Sequence, residues 1–304
     1  MDEFPYMCRG NKSIPFILQN LWDTEFKDSN VMIVLCGSAM SFIEKELLAE
    51  KNPLYGRATG IYKMNEMGFY DAARFFPDYS EKDKVLAYAV LGGIPHYLNQ
   101  FNPKRSIAEN ITGMKEKANT NRGTYRLTNN FFRFWYAFGF ANLSQLEDRD
   151  VEGVYEYIVD PALQKFASLA FEDVCREFVR ELQKKNALPF RYTRMGRWMG
   201  KTTLRDKKAE SGLKMAETEI DLLGIGKEAK EYLVGECKFR HSPFDYSEYL
   251  DTMAKLTPQK EKAKFYYFLF SESGFDDKIT AETGISEKLY LYDIGTIVNL
   301  KNIF

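Results

Sequence analysis

Residues 216–239 read AETEIDLLGIGKEAKEYLVGECKF, two apolar runs flanking Gly226-Lys227-Glu228-Ala229. Apolar, β-favouring runs on either side of a short Gly-containing segment predict a β-hairpin. With a loop over 227–230, residues summing to 457 face each other, so Asp221 opposes Glu236 and Glu219 opposes Lys238. Side chains alternate along a strand, and cross-strand partners share a face. Three carboxylates and one ammonium therefore gather in one patch. A half-exposed sheet face also mixes charges without any function. This pair lies between helical segments, however, where a covered face is expected to be apolar. Adjacent carboxylates that cannot both ionise comfortably are relieved by a divalent cation, and oxygen donors suit Mg²⁺ or Mn²⁺.

Around the hairpin the pattern is mixed α/β. Residues 162–185, ALQKFASLAFEDVCREFVRELQKK, carry apolar residues at 163, 166, 169, 170, 174, 178 and 182, a helical spacing. PFRYTRM, KFYYFLF and KLYLYDI read as strands, with helices around 246–256 and 293–301. Just before the hairpin, MGRWMGKTT (195–203) imitates a phosphate-binding loop. The loop needs G-x-x-x-x-G-K-[ST]. Gly196 lies four residues before Gly200, one too few, and Met195 holds the required position. No apolar strand precedes it and no apolar helical stripe follows. Its basic residues need another account. Residues 184–208 hold nine Lys or Arg against one acid, Asp206. Arg191, Arg194, Arg197, Lys201 and Arg205, interleaved with Tyr192 and Trp198, form the electrostatic footprint of a DNA contact. A solvated basic loop is the plainer alternative.

Towards the N-terminus, SIPFILQNLWDTEF has helical spacing, and VMIVLC is a continuous apolar run of the kind buried on both faces of a parallel sheet. GSAMSFIEKELLAE follows, with Ser38 or Ser41 placed as a helix cap. From about residue 81 short helices take over. YRLTNNFFRFWYAFGF is apolar around nearly its whole circumference, which predicts burial of Phe131, Phe134, Trp135 and Phe138. Short helices before a small strand are compatible with a winged helix. Three sections result: 1–80, 81–149 and 150–304.

A chain of 304 residues, 45% hydrophobic, buries a substantial core. Its net charge of −1 predicts no binding of polyanions by the chain as a whole. Cys8, Cys36, Cys175 and Cys237 are scattered without a C-x-x-C pair, which fits reduced thiols rather than a disulfide or zinc framework. No secretion signal is present, and no apolar run approaches the roughly 18 residues of a membrane span. A cytoplasmic, soluble protein is expected.

Asp221 with Glu236-Cys237-Lys238 resembles the D…E-x-K signature of the PD-(D/E)xK nuclease superfamily, with Ile220 where many members carry Pro. The resemblance implies Mg²⁺-dependent phosphodiester cleavage of DNA. Asp221 and Glu236 would be the metal ligands and Lys238 the catalytic base or charge stabiliser. Glu172, in FEDVCREF, stands where members add a carboxylate from the first helix. More widely, MDEFPY, LCGSAMSFIEKELL, NPLYGRATG, GGIPHYL, YRLTNNFFRFWYAF, MGRWMG, EIDLLG and GECKF resemble the archaeal-type ATPases, AAA+-related proteins with a C-terminal nuclease-like domain. That likeness implies an α/β chain. Its expected parts are a P-loop-type parallel-sheet remnant in 1–80, a helical lid or winged helix in 81–149, and a restriction-endonuclease-like domain in 150–304. Asp2 and Glu3 match the ATP site's Walker B pair, Ser38 its polar sensor and Arg57 a Y-G-R-x-T-G turn. The family's P-loop precedes Walker B, where this sequence starts. ATP hydrolysis is therefore not expected of this polypeptide alone, and Val31–Cys36 is expected to form an open edge that invites another chain. A metal-dependent nuclease, a non-catalytic DNA- or protein-binding module, and an ATPase completed by a supplied N-terminus are the readings that follow.

Overall fold

The computed structural model describes residues 1–37, 49–113, 129–205, 213–255, 263–283 and 286–300. The chain packs as two compact units, 1–65 and 66–304.

In the first unit, helices α1 (Phe4–Gly10) and α2 (Ile14–Leu21) each carry Pro in the first turn, where its missing N–H costs nothing. Phe4, Cys8 and Leu18 form a small core, against which Ile14, Ile33, Leu35 and Leu54 pack. VMIVLC is not the doubly buried strand that its composition predicts. Val31, Met32 and Val34 are exposed, and only Ile33 and Leu35 turn inward. Its main chain is bonded at Cys36, whose N–H donates to the Met1 carbonyl (3.0 Å) and whose carbonyl accepts from Phe4 N–H (2.9 Å). Among the described residues no strand ladder and no second layer cover it, so half its side chains meet water. The capped helix expected at Ser38 or Ser41 lies outside the described residues.

In the second unit the short helices α3 (Phe69–Ala73), α4 (Glu81–Leu91), α5 (Pro95–Leu98), α6 (Ile107–Thr112), α7 (Asn130–Phe134), α8 (Leu143–Glu147) and α9 (Val151–Val154) lead into the long α10 (Asp160–Lys184). Five strands follow: β1 (Tyr192–Arg205), β2 (Leu213–Gly226), β3 (Glu231–Lys238), β4 (Lys264–Ser271) and β5 (Leu289–Asp293). Helix α11 (Tyr246–Ala254) joins β3 to β4, α12 (Asp277–Thr283) joins β4 to β5, and α13 (Ile294–Val298) comes last. The strands lie in the order β1-β2-β3-β4-β5. The first three are antiparallel neighbours, while β3–β4 and β4–β5 are parallel, as their helical crossovers require.

Both faces of the sheet are covered. Leu163, Phe171, Val174, Phe178 and Leu182 of α10 bury against Leu222, Leu233, Phe268 and Phe270, each worth about 1.5–3 kcal/mol relative to exposure. On the other face Ile220, Leu223, Tyr232, Val234 and Leu269 meet Phe244, Tyr249 and Ile279. Packing has no break at 80/81 or 149/150. Helix α4 shares the core of α10, and the Glu177 carboxylate of α10 accepts from the Phe69 N–H at 2.8 Å, holding the start of α3.

Among the described residues of 81–149 there is no strand, and 114–128 lie outside them, so the winged helix is not tested. One local expectation changes. The aromatic segment is not buried all round. Phe134 and Phe138 are buried and Phe131 and Trp135 partly so, whereas Phe132, Tyr136 and Phe140, spaced four apart, form an exposed stripe. Leu169 of α10 is likewise exposed.

Gly235 of β3 lies opposite Leu222, and a Cβ there would come within 2.7 Å of the Leu222 Cβ and 3.4 Å of the Phe270 ring. Gly235→Ala is expected to destabilise the unit by about 1–3 kcal/mol through overpacking. Urea denaturation at equilibrium measures it.

Candidate active site

The hairpin forms in the expected register, with Leu222 opposite Gly235 and Leu223 opposite Val234, joined through a 3₁₀ turn at Lys227–Ala229. The other edge of β2 adds a feature. Gly196 of β1 opposes Leu223, but Trp198 opposes Ile220, so Asp221 and Leu222 together face Arg197 alone. This is a β-bulge, which breaks the alternation and re-aims side chains. Ile220 and Leu223, three apart, consequently pack into the same layer.

At the bulge the pairing of β2 with β3 stops, and the Asp221 side chain takes over: its Oδ2 accepts from the Cys237 N–H at 2.8 Å. Glu236, buried beside it, has both carboxylate oxygens engaged. Oε1 accepts from Lys238 Nζ at 2.9 Å and Oε2 from Lys255 Nζ at 2.6 Å. Lys255, just past the end of α11 and itself buried, also donates to the Glu219 carbonyl at 2.9 Å. Burial, then repulsion from Glu236, pushes the Asp221 carboxyl above the ordinary range, against the opposing pull of the Cys237 N–H, Lys238 and Lys255. Burial works against a charged Lys238, but attraction to Glu236 outweighs it and raises its pKa. Lys238 is thus held as an ammonium, a state suited to stabilising negative charge rather than accepting a proton.

From α10, Glu172 reaches the same region. Burial first, and Asp221 second, push its carboxyl up to about 7, opposed by Arg197 and Arg176. Arg176 stands 3.7 Å from Glu172 and donates to the Asp221 carbonyl at 3.2 Å, tying α10 to the bulge.

The structure therefore brings Asp221, Glu236, Lys238 and Glu172 to one region. Glu219 joins differently from the expected patch, because the bulge interrupts the alternation that would align it with Asp221. Its carboxylate pairs with Arg197, at 3.1 Å to Nε and 2.6 Å to Nη2, and only its carbonyl reaches the cluster. The basic segment is an edge strand, not a loop. Residues 192–205 spend their main-chain groups on a ladder with β2, which also excludes a phosphate-wrapping turn at 195–203. Arg191 and Arg194 are exposed, Arg197 is committed to Glu219, and Lys201 is exposed opposite Glu217. The Arg205 side chain lies outside what is described. Tyr192 and Trp198 pack on the two cores rather than standing out as stacking platforms.

In the first unit, Asp2 Oδ1 accepts from the Glu3 N–H at 2.9 Å, and Glu3 adopts a left-handed φ of 49°. Arg57 is clamped by Asp23, with Nε–Oδ1 at 2.9 Å and Nη2–Oδ2 at 2.7 Å. Ser38 lies outside the described residues.

Three contributors escaped the sequence: Lys255, Arg176 and the Cys175–Cys237 thiol contact. Only the lysine left a trace, as a charge closing the apolar stripe of α11. Among the described residues, no group of three or more His, Cys, Asp or Glu side chains is placed to hold a metal ion.

The fold is thus a mixed α/β layer with a buried ionic cluster at a bulged strand. Residues 1–101 match a family of ATPase domains predominantly from Archaea. Residues 135–250 match a family of archaeal and bacterial proteins of unknown function, a span that includes Glu172, Asp221, Glu236 and Lys238. An uncharacterised protein of Methanocaldococcus jannaschii is 23% identical over 312 residues, covering 79% of this chain and 67% of the relative. No solved structure matches. The likeness to archaeal ATPase domains thus covers residues 1–101, and the two family matches fall on separate parts of the chain. No helix among the described residues is long and apolar enough to cross a membrane.

The buried Glu172 yields a pH prediction. Its folded pKa, about 7, lies above the ordinary carboxyl value of 4.5. Its stabilising contribution is therefore complete below pH ~4.5 and disappears as pH rises through ~7. Glu172→Gln, which cannot ionise, should gain stability relative to the native chain over that interval, on the order of 1–3 kcal/mol by pH 8. Denaturation curves of both proteins at pH 5 and pH 8 test it.

Proposed function

We propose that the unit formed by residues 66–304 cleaves phosphodiester bonds in DNA with Mg²⁺ or Mn²⁺, Asp221 and Glu236 being the metal ligands. The observation that carries this reading is the pair of buried carboxylates on adjacent strands, Asp221 and Glu236, the second of them engaged by two ammonium groups. Such a donor set fits Mg²⁺, which takes one or two carboxylates and keeps several waters, so a third acidic ligand is not required. A bound divalent ion would polarise a phosphoryl oxygen and acidify a coordinated water.

The protein's own groups supply the rest. Lys238, kept protonated by Glu236, stabilises charge developing on the phosphoryl group. Glu172, with a pKa of about 7, can hold or release a proton near neutral pH. Exposed Arg191 and Arg194 meet backbone phosphates at the sheet edge. Those two arginines also favour a second reading, binding of DNA without cleavage. For the ATPase likeness at 1–101, the geometry of Asp2, Glu3 and Arg57 offers no comparable support.

Purified protein is expected to nick supercoiled plasmid in Mg²⁺ or Mn²⁺ and not in EDTA. Asp221→Ala and Lys238→Ala should each lower the rate by about a hundredfold or more while leaving salt-sensitive DNA binding in place. Binding without metal-dependent nicking would replace this reading with the second one.

A further inference from the structure

Nothing in the D…E-x-K pattern assigns a role to Lys255, yet it makes the shortest contact to the Glu236 carboxylate. Its Nζ lies 2.6 Å from Oε2, compared with 2.9 Å from Lys238 Nζ to Oε1. Its side chain is 9% exposed and Glu236's is 12% exposed, so little water screens the pair. A second bond, to the Glu219 carbonyl at 2.9 Å, anchors the ammonium on β2 two residues before Asp221. One cation thereby fastens both carboxylate-bearing strands at the point where their ladder ends.

We propose that Lys255 is a positioning residue that stands in for the divalent cation at Glu236: it holds the carboxylate in place when no metal is bound, and yields Oε2 when one binds. The inference rests on the reading of Asp221 and Glu236 as cation ligands. An ammonium on each oxygen leaves a metal ion only the second lone pairs, beside two positive charges, and that repulsion favours displacing one of them. Lys238 is anchored by its place on β3 itself, and its ammonium also lies 5.9 Å from the Phe244 ring centroid. Lys255 follows the last turn of α11 and can withdraw without moving either strand. Its positive charge then opposes an incoming metal ion and sets the affinity of the site.

Isothermal calorimetry with Mn²⁺ on the full chain tests this, alongside melting temperatures in EDTA and in Mn²⁺. Lys255→Gln keeps a donor for the Glu219 carbonyl and removes the charge. It should bind Mn²⁺ about tenfold tighter than the native chain. It should also melt lower in EDTA and gain more on adding Mn²⁺. If the variant folds only with Mn²⁺ present, the cation has taken the lysine's place and the proposal holds. Unchanged or weaker Mn²⁺ affinity, or failure to fold with and without metal, overturns it and leaves Lys255 as a structural prop. The Asp221→Asn variant tests the ligand role of Asp221 apart from the role of Lys255. It should lose Mn²⁺ binding, and if it binds as the native chain does, the ligand reading itself has failed.

Discussion

One buried carboxylate shared between two lysines organises the second unit. Glu236 sits in the third strand of a sheet covered on both faces, where an unpaired charge would cost several kcal/mol. Lys238 comes from the same strand and Lys255 from beyond the helix that leaves it, so the ion cluster spans β3 and α11. The Glu219 carbonyl and the Cys237 N–H extend it to β2, and Arg176 extends it to α10. Removing any one partner would leave a charge or a polar group unmatched in the core.

The rest of the fold serves to keep that cluster dry and fixed. Helix α10 lies along one face of the sheet, and Phe244, Tyr249 and Ile279 seal the other. The bulge opposite Arg197 lets two hydrophobic residues three apart enter one layer while Asp221 meets the Cys237 main chain. A site of this kind concentrates carboxylates whose protonation is displaced from the ordinary range, which is the condition for binding a cation or moving a proton near neutral pH.

Much of this was legible in the sequence. The hairpin register followed from apolar runs flanking a Gly-Lys-Glu-Ala turn, and it placed Asp221 beside Glu236. The long helix followed from its apolar spacing. Features that depend on a third element were not legible. The bulge arises from pairing with β1, and the contact of Lys255 from how α11 docks, so neither leaves a local periodic mark. The basic segment shows the same limit: its composition suggested an open phosphate-binding surface, but β-pairing committed Arg197 to Glu219 and packed Tyr192 and Trp198 inward. VMIVLC has the composition of a central strand, yet among the described residues its neighbours cover only Ile33 and Leu35, and those in part. Composition states what a segment can bury, and the available partners decide what it does.

Anomalous diffraction from a Mn²⁺-soaked crystal would show whether Asp221 and Glu236 share a cation. The expected result is a single strong peak about 2.1 Å from one oxygen each of Asp221 and Glu236, with Lys255 withdrawn from Oε2. Absence of a peak there, with both lysines still bonded to Glu236 at saturating Mn²⁺, would make the cluster a structural ion network and contradict the account.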